Sequence, residues 1–282
     1  MKQSIKSVKL ILGEPCKAID SPIEQSEPYI EPHRHEYWEV IWCLNDQGTQ
    51  QIDFVEYQNK VGRLFTVAPG QVHCSDEQSS AVRLLVFAHG FVETNKRSTQ
   101  LVDTVFATRN ARPPYIDCDP EADEYLLPVF KMIQEECARE DCDWPLVESL
   151  INCFLRYMMR FASNISLKGE ERDPRVGKVI ELIELHYRNE KNSQFYADAL
   201  ALTTKRINEI VKGQLGKTVT QLIHDRVILE ANRDLAFSDK TIKTLAYELG
   251  FADQAYFSRF YRKHMKESPA QFRVRCLDSA TL

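Results

Sequence analysis

The chain has 282 residues, of which 43% are hydrophobic, 27% charged and 10% aromatic, the balance of an ordinary globular protein with room for about two domains. This excludes a disordered, collagenous or disulfide-stapled chain; the eight cysteines contain no C-x-x-C pair, and no window holds the roughly 18 apolar residues that cross a bilayer. The net charge of -5 is unevenly spread: residues 1–171 hold 17 Lys and Arg against 27 Asp and Glu, whereas residues 172–282 hold 19 against 14.

The opening stretch MKQSIKSVKLILGEPCKAID lacks the long apolar core of a signal peptide, so the expectation is a soluble, cytoplasmic chain with reduced thiols and no membrane partner. From Trp38 to Phe87 the apolar residues fall in short runs, VIWCL at 40–44, LFTV at 64–67 and VRLLVF at 82–87, separated by clusters such as NDQG and APGQ. Short β-branched and aromatic runs without helical stretches between them predict an antiparallel barrel or sandwich. Beyond Pro120 the period changes to three or four, through Leu126, Phe130, Ile133 and Cys137 and then Val147, Leu150, Ile151, Phe154, Met158 and Phe161. That pattern predicts a helical hairpin, broken near Asp141 to Pro145, whose wide apolar stripe offers a seam to a second subunit. The polar segment NISLKGEERDP at 164–174 predicts a linker. The expected domains are therefore 1–120, a hairpin and candidate dimerisation element at 121–165, a linker at 166–174 and an all-helical domain at 175–282.

In the last of these, Thr241 caps a helix with Ile242, Leu245, Ala246 and Leu249 on one face, and Gly250 ends it. A second helix starts near Asp253 with Phe257, Phe260, Tyr261 and His264 inward. Its other face, together with Asp253 at its start, carries the expected contact residues Gln254, Ala255, Ser258, Arg259, Arg262 and Lys263. Two short helices joined by a glycine turn form the unit that enters the major groove of double-stranded DNA, with Gln254 placed for a base edge and the cations for phosphate. An amphipathic helix with a solvated basic face is the bland alternative. A weaker unit of the same kind spans 195–219, with Ile207, Ile210 and Val211 inward and Lys205, Arg206, Asn208, Glu209 and Lys212 outward.

LGFADQAYFSRFYRKH followed by SPAQFR closely resembles the C-terminal signature of the AraC/XylS family of bacterial transcription regulators. The resemblance implies two helix-turn-helix units joined by the long helix at 220–237, matched through Arg226, Ala231 and Leu235. Two positions depart from it: Ala201 stands where Gly is usual at the first turn, and Lys266 where Gly precedes the Ser-Pro pair. The resemblance also implies an N-terminal cupin-like β-barrel that binds a small-molecule effector, a homodimer, and contact with RNA polymerase during activation. The expected fold class is thus α+β and multidomain.

EPHRHEYWEV at 31–40 and GRLFTVAPGQVH at 62–73 resemble the two cupin motifs, through His33, His35 and Glu39 and through Pro69, Gly70 and His73. Glu77 stands where the second motif usually ends in Asn. The expectation is an effector pocket lined by His33, His35, Glu39, Trp42 and His73, with no metal, cofactor or catalytic turnover. The alternative is a metal-dependent cupin enzyme with an incidental DNA-binding tail, in which His33, His35, Glu39 and His73 hold iron, manganese or nickel.

Overall fold

A computed structural model describes residues 6–8, 14–22, 31–76, 78–79, 81–106, 113–163 and 173–279. The chain divides into two compact units, Ile5–Gly169 and a second built from Glu170–Leu282. Most of the segment expected to be a linker lies outside the described residues.

Among the described residues of the N-terminal unit, ten strands form two sheets. One contains β1 (Lys6–Val8), β3 (His33–His35), β5 (Thr49–Ile52), β6 (Val55–Gln58) and β8 (Val72–Ser75), in the order β1-β3-β8-β5-β6. The other contains β2 (Cys16–Pro22), β4 (Tyr37–Cys43), β7 (Arg63–Val67), β9 (Ala81–Ala88) and β10 (Tyr115–Asp117), in the order β10-β7-β4-β9-β2. Every pairing is antiparallel except β1 with β3. The expected strand-rich front half is present, but its strands stand as two sheets rather than one closed barrel.

Alternation along β4 sorts the two faces of its sheet. Ile41 and Cys43 meet Ile52 of the opposite sheet together with Phe65, Val67, Val82 and Leu84, which makes the interior between the sheets. Val40 and Trp42 lie on the reverse face with Leu64, Leu85 and Phe87. There they pack against α1 (Lys96–Val105), α2 (Asp123–Cys137) and α3 (Trp144–Arg160), through Val102, Phe130, Ile133, Ile151 and Phe154. The predicted hairpin is α2 and α3, its break closed by Asp143, whose carboxylate accepts from the Leu146 amide and starts α3. All eight cysteines are unpaired thiols.

The C-terminal unit is all-helical: α4 (Pro174–His186), α5 (Ser193–Ala199), α6 (Thr204–Leu215), α7 (Val219–Phe237), α8 (Ile242–Glu248), α9 (Gln254–Met265) and α10 (Pro269–Ser279). It contains one design twice, at an offset of about fifty residues. Leu202 N–H donates to Ala197 O across the turn at Ala201, and Phe251 N–H donates to Ala246 O across the turn at Gly250. Gly216 and Lys266 end α6 and α9 with positive φ. Thr218 with Gln221 and Ser268 with Gln271 then form equivalent reciprocal caps that start α7 and α10. The helix cores also correspond, Ile207 and Val211 in the first unit and Phe257 and Tyr261 in the second, all buried.

Candidate functional site

The second unit presents α9 by three local devices. Thr241 caps α8 through the Thr244 amide, Gly250 turns the chain at φ +75°, and the Asp253 carboxylate accepts from the Tyr256 amide at 2.7 Å. Phe257 and Tyr261 then anchor the helix, and the Tyr261 hydroxyl donates to Asn232 Oδ1 of α7. Gln254, Ala255, Arg259, Arg262 and Lys263 are left exposed on one side, with Ser258 half-buried beside them. Among the described residues the Gln254 side chain has no hydrogen-bond partner, so its amide stands open on the first turn of the helix. Asp253, expected on the same surface, is exposed but engaged as the cap. Tyr256 was not among the expected residues; it is exposed next to Gln254, with the Arg259 guanidinium 6.0 Å from its ring.

In the first unit Thr203 caps α6, and Lys205, Arg206, Glu209 and Lys212 are exposed, with Arg206 paired to Glu209 at 3.3 Å. Asn208 corrects an expectation. Its Nδ2 donates to Thr204 O at 2.8 Å and its Oδ1 accepts from the Val219 amide at 2.9 Å, so it ties α6 to the start of α7. Both ends of that amide are engaged inside the protein.

The two departures from glycine are both positions of positive φ, +53° at Ala201 and +65° at Lys266. A side chain held there costs on the order of 1 kcal/mol relative to glycine. Ala201→Gly and Lys266→Gly should each therefore raise the unfolding free energy by up to about 1 kcal/mol. Urea denaturation checks this: the midpoint should rise at unchanged slope, and a fall in either variant would contradict the strain.

In the N-terminal unit β3, β4 and β8 bring three of the expected side chains together. His35 and His73 arrive from one sheet and Glu39 from the other, all buried in the interior. His35 Nε2 lies 3.0 Å from His73 Nε2 and 3.1 Å from Glu39 Oε2, and His73 Nε2 lies 3.2 Å from the same carboxylate oxygen. His35 Nδ1 is 2.9 Å from the Tyr37 carbonyl oxygen, which only accepts, so that nitrogen carries the proton. His33 pairs directly across from His73 in the sheet, and their rings are 4.2 Å apart. Its Nδ1, however, is bonded to Glu31 O, and it does not join the converging set.

Burial disfavours the imidazolium and pushes the His73 pKa down to about 3, although Glu39 opposes the shift. Burial would raise the Glu39 carboxyl, but the facing His73, His35 and His33 outweigh it and hold the group at about 2. The donor set of two imidazole nitrogens and one carboxylate oxygen suits a divalent first-row transition metal, so the residues present fit the ion that the cupin motifs imply. Glu77 lies outside the described residues.

Trp42 is a second correction. It sits three residues from Glu39 on the same strand and so faces the other way, against Phe130 and Phe154 with Arg83 over its ring. It cannot line a pocket with the histidines. Gln50, not among the expected residues, shares the inner face with Ile52; Ser75 Oγ donates to its Oε1, and among the described residues its buried Nε2 has no partner.

A family model described as a helix-turn-helix domain matches residues 196–275, from within α5 to within α10. The transcriptional activator RhaS of Citrobacter koseri is 25% identical over 141 residues, 50% of this chain and 51% of RhaS. The C-terminal unit is an AraC/XylS-type helix-turn-helix domain. Among solved structures, this AraC/XylS-type unit is similar to the C-terminal domain of AraT, a response regulator from Geobacillus stearothermophilus, at 23% identity and a TM-score of 0.36, covering 38% of this chain and 88% of that domain. ToxT of Vibrio cholerae O395, solved with a naphthalenyl butenoic acid, is 13% identical with a TM-score of 0.45, covering 93% of this chain and 97% of ToxT. The chain spans about half the length of the curated relatives it matches.

Proposed function

We propose that this chain is a sequence-specific DNA-binding transcription regulator, with α6 and α9 as its two recognition helices. The observation that carries the reading is the duplicated unit, which twice turns the chain at a positive φ and twice presents an exposed polar and cationic helix face. The 19 residues of α7 span about 28 Å, close to one turn of DNA, so one chain can place both helices in successive major grooves on one side of the duplex. Gln254 reads a base edge beside Ala255 and Ser258, while Arg259, Arg262 and Lys263 hold phosphates. Lys205, Arg206 and Lys212 do the same in the first unit, where Glu209 pairs with Arg206.

The input is an effector bound between the two sheets, at the patch of His33, His35, Glu39 and His73. The unpaired buried Nε2 of Gln50 on the same face supports this, because a buried donor without an acceptor carries a penalty that a ligand would remove. The name of the RhaS relatives supports activation, and with it contact with RNA polymerase, in the cytoplasm. Among the described residues no helix is long and apolar enough to cross a membrane. A homodimer would use the hairpin, where Tyr125, Met132 and Leu146 are exposed. The RhaS relatives are transcriptional activators by name and favour a binding protein over a metal-dependent enzyme.

Selection of bound sequences from a random DNA pool at near-physiological salt tests the reading. The expected winner has two boxes about one helical turn apart, bound at least about a thousandfold more tightly than scrambled DNA. No enrichment, with or without candidate effectors, would refute it. On the winning site Gln254→Ala should cost about 1 to 3 kcal/mol and relax preference at one base pair, whereas Arg262→Ala should weaken binding to every sequence and lower the salt slope by about one. Equal weakening of all sequences by Gln254→Ala would remove its base-reading role.

A further inference from the structure

We infer that Cys16 and Cys137 form a redox modification site, a pair of touching thiols that a peroxide converts to a disulfide. The inference concerns the N-terminal unit alone and is independent of DNA and of the effector.

The first argument is placement. Cys16 opens β2, at the edge of its sheet, and Cys137 is the last residue of α2, far along the chain. Helix α2 packs on β2, and the two thiols meet there in a hydrogen bond. Thiols that already touch have their Cβ atoms aimed at one another, the condition for a bridge without large backbone movement. Cys16 is 0% exposed, whereas Cys137 is half-buried, so the pair has one enclosed end and one that a small oxidant reaches. Other thiols are engaged elsewhere: Cys74 donates to Gln51 Oε1 and Cys118 to Met158 O. Cys142 is the nearby competitor, in the turn that the Asp143 amide draws back to Glu136 Oε1 at 2.8 Å.

The contact also divides the chemistry between the two sulfurs. A hydrogen bond from the Cys16 thiol favours the Cys137 thiolate and holds Cys137 below the ordinary thiol value, against burial and the Glu14 and Glu136 carboxylates. The same contact and burial push Cys16 up. The accessible sulfur is therefore the nucleophile and the enclosed one the resolving thiol. The Cys137 thiolate attacks one oxygen of hydrogen peroxide, the O–O bond breaks, and the departing hydroxide takes up the proton Cys137 released, leaving a sulfenic acid and water. The Cys16 sulfur then attacks the Cys137 sulfur, the S–O bond breaks, and the second hydroxide leaves with the Cys16 proton as water. Two thiols are oxidised to one disulfide and one peroxide is reduced to two waters. The new bond ties the first residue of β2 to the end of α2, which packing alone now holds together.

Treatment of the untagged, reduced full chain with a small excess of hydrogen peroxide tests this, followed by alkylation of the remaining thiols, trypsin and mass spectrometry. Cleavage separates the thiols into LILGEPCK, with Cys16, MIQEECAR, with Cys137, and EDCDWPLVESLINCFLR, with Cys142 and Cys153. The expected product is LILGEPCK joined to MIQEECAR, lighter than their sum by two hydrogen atoms and lost on adding dithiothreitol. Cys137→Ser should slow the oxidation of Cys16 by at least about tenfold, and Cys16→Ala should leave a sulfenic acid on Cys137 that dimedone traps. Failure of the wild-type chain to give the joined peptide would overturn the proposal, whatever the variants do. A dominant link from MIQEECAR to the Cys142 peptide would overturn the assignment of Cys16 as the resolving thiol. Circular dichroism of each variant separates a lost thiol from a lost fold, and unchanged oxidation of Cys16 in a folded Cys137→Ser chain would also count against the pair.

Discussion

Glu230→Ala should destabilise the C-terminal unit by about 3 to 5 kcal/mol, the cost of breaking a buried ion pair from one side. The Glu230 carboxylate accepts from Arg226 Nη1 at 2.9 Å, and Arg233 and Arg188 each reach it at 3.4 Å. Arg226 also donates to Glu184 of α4 at 2.8 Å and lies over the Tyr187 ring, so the network joins α4 to α7. Arg233 is 1% exposed, and taking away an acceptor leaves its charge in a place that water does not reach.

The same carboxyl sets a pH dependence. Burial alone would raise it, but Arg226, Arg233 and Arg188 hold it at about 2, against an ordinary value of 4.5. Because the folded value lies below the unfolded one, the contribution is full above about pH 4.5 and is lost as the pH falls towards 2; its size is about 3 kcal/mol. Chemical denaturation of the wild-type chain and Glu230→Gln at pH 7 and pH 3 checks both statements. The gap between them should shrink on acidification, and a constant gap would refute the electrostatic account.

Gly250→Ala should cost about 3 kcal/mol and melt the second helix-turn-helix unit before the rest of its domain. Two terms combine. A side chain at φ +75° costs on the order of 1 kcal/mol, and a Cβ built there would stand 1.7 Å from Arg188 O, a backbone atom that cannot rotate away. The turn docks there because Lys191 Nζ donates to both Arg188 O and Leu249 O at 2.6 Å. Gly216→Ala is the control: its φ is +68°, but nothing lies within 4 Å of the new Cβ, so it should cost only about 1 kcal/mol. Differential melting followed by hydrogen exchange at Leu249 to Phe257 measures the difference. Equal costs for the two would show that the contact with Arg188 is unimportant.

The features legible in the sequence are those set by local rules. Caps at Thr241 and Asp253, the turn at Gly250 and the period of Phe257 and Tyr261 all follow from residue type and spacing. A spacing of two puts His33 and His35 on one strand face, but Glu39 and His73 were legible only through the resemblance to the cupin motifs, and His33 does not join the converging set. Trp42 could have been placed by the same rule, since an odd spacing from Glu39 puts it on the opposite face. Other features depend on partners distant in sequence. Strands β5, β6 and β8 have the sequences TQQI, VEYQ and VHCS, too polar and short to stand out before their neighbours pair with them. Asn208 reads as a surface group on a helical wheel and Glu230 carries no sequence signal of its own; only the packing of α6 and α4 on α7 shows what engages them.

The duplication has a consequence for how the domain reaches its fold. Two stretches with the same turn geometry and the same caps, fifty residues apart, invite mispairing while the chain is still collapsing, a hazard common to repeated modules. The cores guard against it: Ile207 and Val211 are aliphatic, whereas Phe257 and Tyr261 are aromatic and fully enclosed. An α9 docked in place of α6 would force two rings into space shaped for branched aliphatics, at a cost of about 1 to 3 kcal/mol per overpacked position. The difference in ring content between the two halves thus serves as an address label, directing each helix to its own berth.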